Sequence, residues 1–453
     1  MSIGGSVTHL LAAVDVSSGD TAFVLISAAM VLLMTPGLAL FYGGMVRAKN
    51  VLNMIMMSFL CMGLITVLWI IYGYSITFGT DLGSGLLGGL DFLGMKGTLD
   101  AVVGPDGSHI PMQSFAAFQL TFAIITAALL SGAVADRINF GGWTLFIGLW
   151  ATFVYFPLAH WTFALAGGQG GWISDRLGAL DFAGGTAVEI NSGFSALALV
   201  LVVGKRIGWR REPMRPHSLP LVLLGAGLLW FGWFGFNAGS ALIAGQLSSA
   251  VFLNTQASTA AGALAWILVE RIRDGKATTL GVASGAIAGA VAITPACGYV
   301  NNMGALFVGL AAGAICSWAV GLKYRLGFDD SLDVVGVHGV GGLVGMIGIG
   351  LLATTTVNGA GANGLFSGGG FGLLGKQAIA SAATLVYAFV ITALLALIVD
   401  KTIGLRVHAN HERAGLDISL HAESAYDYSG ASAGTFAGIA GHSSQSPFPP
   451  QSP

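Results

Sequence analysis

The run from His217 to Val269, HSLPLVLLGAGLLWFGWFGFNAGSALIAGQLSSAVFLNTQASTAAGALAWILV, contains no Asp, Glu, Lys or Arg. A helix crosses ~30 Å of hydrocarbon with about 20 apolar residues, so this stretch is too long for one crossing and predicts two. Working outward, Ala277–Leu322 is a second uninterrupted run with room for two helices. Val334–Gly375 holds one helix followed by a glycine-rich loop. Thr21–Val46, Val51–Thr80, Met112–Ala135 and Gln377–Val399 fit one span each, and Ile138–Ser174 fits one with a loop after it. With the segment from about Asp181 to Gly204, the total is eleven crossings of an all-α polytopic membrane protein.

Composition agrees. Of 453 residues, 55% are apolar and only 9% are Asp, Glu, Lys or Arg, with a mean hydropathy of +0.79. Too few charges remain to coat a soluble globule of this length, which excludes the soluble enzyme classes. A formal charge of −2 excludes a nucleic-acid binder, which needs a basic footprint. Cys61, Cys297 and Cys316 are scattered through apolar stretches and form neither a disulfide framework nor a metal motif.

Lys and Arg concentrate in cytoplasmic loops, and their placement sets the orientation. With an extracytoplasmic N-terminus and eleven spans, 16 of the 19 basic residues fall on the cytoplasmic side, and only Lys96, Arg176 and Lys376 fall outside. The first twenty residues have no basic stretch and include Asp15 and Asp20, so no secretory signal is read. Residues 1–19 form an extracytoplasmic segment, 20–404 the helical domain and 405–428 a cytoplasmic tail. The Ser-, Gly-, Ala- and Pro-rich residues 429–453 are expected to be disordered. Glycine is abundant, with 69 residues. Spacings such as Gly341 and Gly345 or Gly185 and Gly193 suit close helix packing around a narrow route.

Inside lipid an ionisable side chain costs about 2.5–3.5 kcal/mol, so each one asks for a reason. Glu189 lies within LDFAGGTAVEINSG and His338 within LDVVGVHGVGGLVG, both on glycine-lined helices. A structural carboxyl and a satisfied core imidazole would be the plain accounts. Two such groups at mid-bilayer depth would instead be each other's cheapest partner, share a proton and titrate as a pair. Asp181 opens its span where free helix amides need a cap, or it shapes a cation vestibule; Asp333 is read in the same way at the start of its span. Phe118 and Phe122 sit near the outer end of one span, and Phe231, Trp233, Phe234 and Phe236 crowd another, with Ser240 beyond them. Interfacial girdles account for most aromatic residues, but a cluster at an outer mouth could hold a small cation against ring faces.

The ordered strings MTPGLALFYGGMVRAKNVLN, ISGAVADR, LDFAGGTAVEINSG, WFGFNAGSA, ASGAIAGAVAITPACGYV, GFDDSLDVVGVHGVGGLVG and GLDISLHAESAYD run nearly the whole length of the chain. They resemble the ammonium transporter family, the Amt/Mep/Rh proteins. The resemblance implies two inverted five-helix repeats plus a final helix, assembled as a homotrimer in the cell membrane with one pore per subunit. It makes Phe122 and Phe236 a stacked gate, Ser240 a hydroxyl that helps bind the cation outside, and Asp181 the carboxylate supporting recruitment. His338 is similar to the second histidine of the family's pore pair. Glu189 stands where the first is expected, a Glu/His variant similar to some fungal Mep proteins. The external tryptophan falls by position on Phe163, which keeps a ring face and loses the indole donor.

The implied activity is recruitment of ammonium, its deprotonation, and passage of ammonia with separate proton transfer, without a cofactor. GLDISLHAESAYD resembles the family's cytoplasmic tail, and a cytosolic PII-type regulator is a possible partner by the same resemblance. An electroneutral Rh-type ammonia or gas channel is the alternative. An ammonium sensor is disfavoured because no kinase-, cyclase- or receiver-sized domain follows the last span, and an intramembrane hydrolase because HExxH is absent.

Overall fold

The computed structural model describes residues 15–105 and 108–426. Ten helices among them are long and apolar enough to cross a membrane. They are α1 (Ser18–Met45), α2 (Ala48–Phe78), α3 (Met112–Ala133), α4 (Phe140–Phe163), α5 (Gly185–Val203), α6 (Leu219–Gly239), α8 (Thr279–Ala296), α9 (Asn302–Leu326), α10 (Val335–Leu352) and α11 (Gly372–Thr402). The remaining expected crossing falls on α7 (Gln246–Asp274). At 29 residues it is about 43 Å long, ample for a bilayer. Its buried Ser248, Asn254, Thr255, Ser258 and Thr259 lower its hydropathy below that of the other ten. Those polar groups are satisfied inside the bundle: Asn254 Nδ2 donates to the Cys297 and Val300 carbonyls, and Ser258 donates to Gly289.

Helix starts follow ordinary capping chemistry. Ser17, Asn139, Ser218, Thr278 and Asn301 each accept from a backbone amide two or three residues ahead, at the starts of α1, α4, α6, α8 and α9. The predicted glycine-rich loop lies between α10 and α11, and α11 begins at Gly372, five residues before the uncharged stretch that pointed to it. The connection from α2 to α3 carries two small antiparallel ribbons, β1 (Asp81–Leu82) with β2 (Leu87–Gly88) and β3 (Val102–Val103) with β4 (Ile110–Pro111).

The most extensive helix interface joins α1 to α6. Gly225 packs directly on the Phe41 backbone, and a Cβ on Gly235 would stand 2.7 Å from Met30 Cβ and 2.8 Å from the Ser27 carbonyl. The two backbones therefore touch along the bundle axis. Trp233 and Phe236 face inward from α6 and are buried, whereas Phe231 faces outward and Phe234 stacks on Phe252 at 4.0 Å.

At the end rich in Lys and Arg, buried ions tie the loops together. Arg206 grips Asp329 through Nε and Nη2 at 2.9 and 2.8 Å, and Asp136 pairs with Arg47 at 3.0 Å. Arg137, fully buried, donates to Gly204 O, Ala135 O, Asp329 O and Ser331 Oγ. The tail docks beneath this network. A short helix, α12 (Ala409–Ala414), places Glu412 on Ile207 N and Arg406, and Asp417 accepts from Leu52 N and Asn53 N at the start of α2. Residues 1–14 and the expected disordered tail 429–453 lie outside the described residues.

Candidate functional site

Glu189 and His338 both stand on π-helical turns, Gly185–Ile190 and Val335–Gly339, that open α5 and α10. The Asn191 amide bonds Thr186 O and the Val340 amide bonds Val335 O, the i→i+5 pattern that recurs at functional sites. Glycine lets the two segments meet. Gly193 lies directly on the Gly339 backbone, and a Cβ on Gly342 would stand 2.9 Å from Glu189 Cβ. This approach brings His338 Nδ1 within 2.8 Å of Glu189 Oε2. Both residues are buried, at 4% and 1% exposure, so the predicted pair exists. One hydrogen serves the bond whichever partner carries it, which leaves the imidazole Nε2 outside this contact.

The pair lines a narrow cavity of about 20 Å³ otherwise walled by Leu38, Phe41, Ile125, Leu229, Trp233 and other mostly apolar side chains. Phe236 forms part of the same wall and stacks on Phe122, with ring centroids 4.0 Å apart and planes 19° from parallel. Phe122 meets Phe163 edge-on at 6.1 Å. Phe163, Ser240 and Asp181 line a wider vestibule that opens to solvent. The two stacked rings thus stand between vestibule and cavity.

Each predicted vestibule residue has a defined bonding state. Ser240 Oγ donates to the Phe236 carbonyl at 2.8 Å, and its lone pairs remain available as acceptors. Asp181 accepts four bonds, from the amides of Gly184, Gly185 and Thr186 and from Thr186 Oγ1, at 2.6–2.8 Å. Its carboxylate is therefore a helix cap that also borders the vestibule. Trp161 does not restore the expected tryptophan's donor beside Phe163: its Nε1 is committed to Leu86 O, and its ring packs against Trp172.

One expectation is corrected. Asp333 was read as opening its span in the manner of Asp181, but Asp330 does so, with Oδ2 accepting from Val335 N at 2.8 Å. Asp330, like Asp181, reaches forward five residues to a first-turn amide, whereas Asp333, directly before the helix at the ordinary capping position, turns its carboxylate elsewhere. Asp333 instead adopts φ +66° and pairs with Lys323 Nζ at 2.6 Å. Thr186 and Asp330 were missed in the sequence. The available signal was an equal spacing: Asp181 precedes Glu189 by as many positions as Asp330 precedes His338.

Comparison with known proteins agrees with this architecture. The profile of the Ammonium Transporter Family matches residues 22–426. An ammonium transporter of Mycobacterium bovis is 58% identical over 435 residues, covering 91% of each chain. The crystal structure of Saccharomyces cerevisiae Mep2 superimposes with a TM-score of 0.80 at 33% identity, covering 90% of this chain and 92% of that one. A solved Sensor Amt Protein gives a TM-score of 0.81 at 27% identity, covering 89% and 98%. With a profile match over most of its length and relatives this similar, the chain belongs to the ammonium transporter family.

Proposed function

We propose that the chain takes up ammonium at the Asp181 end, removes a proton from it, and conducts ammonia to the basic end while the proton crosses separately. In this reading the Asp181 end and the N-terminus are extracytoplasmic, the basic end is cytoplasmic, and the working unit is a homotrimer in the cell membrane. Residues 20–404 form the transport domain, and the tail 405–428 regulates it from below, with a PII-type regulator as its cytosolic partner.

The observation that carries the proposal is the Glu189–His338 bond, 2.8 Å long, set in an apolar cavity just past two stacked phenylalanines. A bare cation pays a large desolvation penalty in such a cavity, whereas neutral ammonia does not. Phe163 and Ser240 hold ammonium at the mouth through a ring face and a hydroxyl acceptor, and Asp181 keeps the adjoining helix end in place. Phe122 and Phe236 strip its water. Glu189 accepts the proton and His338 relays it.

Glu189→Gln preserves shape and removes the acceptor. Ammonium pulses on proteoliposomes across a range of external pH, with potassium as control ion, are expected to give currents reduced at least tenfold, on the scale of losing a positioned base. Unchanged current in a folded variant would refute the relay. The same recording separates the alternatives: ammonia uptake without current marks a Rh-type electroneutral channel, and occupancy without flux marks a sensor.

A further inference from the structure

The first turns of α5 and α10 are counterparts, yet their capping carboxylates are treated differently. Asp181 receives three amides and a hydroxyl. Asp330 receives the Val335 amide on Oδ2, with the Val334 amide close by. Its Oδ1 is buried and has no hydrogen-bond partner among the described residues, although Asp330 is only 1% exposed. The sequence explains the difference. The position five residues after Asp181 is Thr186, whose hydroxyl completes the shell, and the position five after Asp330 is Val335, which has none to give.

The charged and titratable groups around Asp330 do not make good the loss. From α9, Lys323 Nζ bonds the Asp330 backbone carbonyl and the Asp333 carboxylate rather than Oδ1. On the preceding residue, Asp329 draws the guanidinium of Arg206, while Arg137 bonds the Asp329 carbonyl and Ser331. Tyr42 of α1, whose hydroxyl donates to Leu129 O, lies within electrostatic reach of Asp330, Asp333 and Glu189. A buried carboxylate with an unpartnered oxygen is costly when ionised and cheaper when it carries a proton.

We propose that Asp330 is the proton acceptor at the basic end of the pore, taking the hydrogen ion passed on by Glu189 and His338 and releasing it to the solution there. The step rests on the transport reading above. The N–H bond of ammonium breaks at the pair and its electrons stay on ammonia. The proton forms an O–H bond on Asp330 and leaves to water on the basic side. Burial, opposed by Lys323 and reinforced by Asp333, pushes the Asp330 carboxyl up to about 6, within a range where it can both load and release.

Liposomes with the basic end facing the lumen provide the test, with ammonium-driven current recorded while luminal pH is lowered from 7 to 5. Wild-type current is expected to fall about tenfold, because the ionised fraction of a group with pKa about 6 falls by that factor. Val335→Thr supplies the missing hydroxyl at nearly constant volume and is expected to move the midpoint down by about one pH unit. Asp330→Asn can still accept from the Val335 amide, and its current is expected to be low and flat with luminal pH. Identical luminal pH profiles for wild type and Val335→Thr would overturn the role of Asp330 even if Asp330→Asn does not fold. Ammonia uptake without current in wild type would overturn the underlying transport reading, and this step with it.

Discussion

Replacing Gly193 by alanine tests whether helix contact, rather than side-chain chemistry alone, makes the proton-sharing pair. The new methyl would fall on the Cα and N of Gly339, with the His338 carbonyl carbon 3.2 Å away. These are backbone atoms on both sides, and no side chain can turn aside. Relief requires α5 and α10 to part by about 1 Å or more, at an overpacking cost of about 1–3 kcal/mol. The Glu189–His338 separation, now 2.8 Å, would then pass the limit of about 3.6 Å beyond which no hydrogen bond remains. Gly227→Ala is the matched control, since nothing lies within 4 Å of a Cβ there. It should be neutral, or gain up to about 1 kcal/mol from helix propensity. In proteoliposomes normalised for folded protein, ammonium current in Gly193→Ala should fall at least tenfold while Gly227→Ala matches wild type. A folded Gly193→Ala with current within twofold of wild type would show that the pair does not depend on this crossing.

Two further predictions concern the basic end. Burial alone would raise the Asp329 carboxyl, but the bound Arg206 guanidinium, helped by Arg137, holds it below the ordinary carboxylate value. Its contribution to stability is thus full above that ordinary value, about pH 4, and is lost as pH falls through the lower folded value. The gap in unfolding temperature between wild type and Asp329→Asn in detergent should be the same at pH 7 and 5 and should narrow toward pH 3; narrowing already at pH 5 would contradict this. Asp417→Ala removes the acceptor for Leu52 N and Asn53 N. Losing that cap costs about 1 kcal/mol, so trypsin should cut after Arg413 roughly fivefold faster, and an unchanged rate would place the tail's anchorage elsewhere.

The sequence revealed most of the span boundaries because lipid imposes a strict length and polarity on each crossing. It was less informative where burial is inside protein. The polar residues of α7 are bonded to neighbouring helices, so hydropathy understates that helix, and only the long uncharged run pointed to it. Glu189 and His338 stood out because an ionisable group in an apolar segment is costly. Asp330 did not, because in DDSLD several carboxylates compete and only the folded turn decides which reaches an amide. The π-helical turns were also invisible, since α5 and α10 are small or apolar on nearly every side and an added residue has no polar stripe to displace.

The seam between α1 and α6 has a consequence for how substrate can move. Helices that touch backbone to backbone cannot slide past each other in small steps, since the next resting place lies a full turn away and every intermediate offset drives carbonyls into a facing spine. Such a keel suits a fixed sieve rather than a rocker-switch carrier. Turnover would then be set by events at the two rings and the shared hydrogen, with the scaffold standing still.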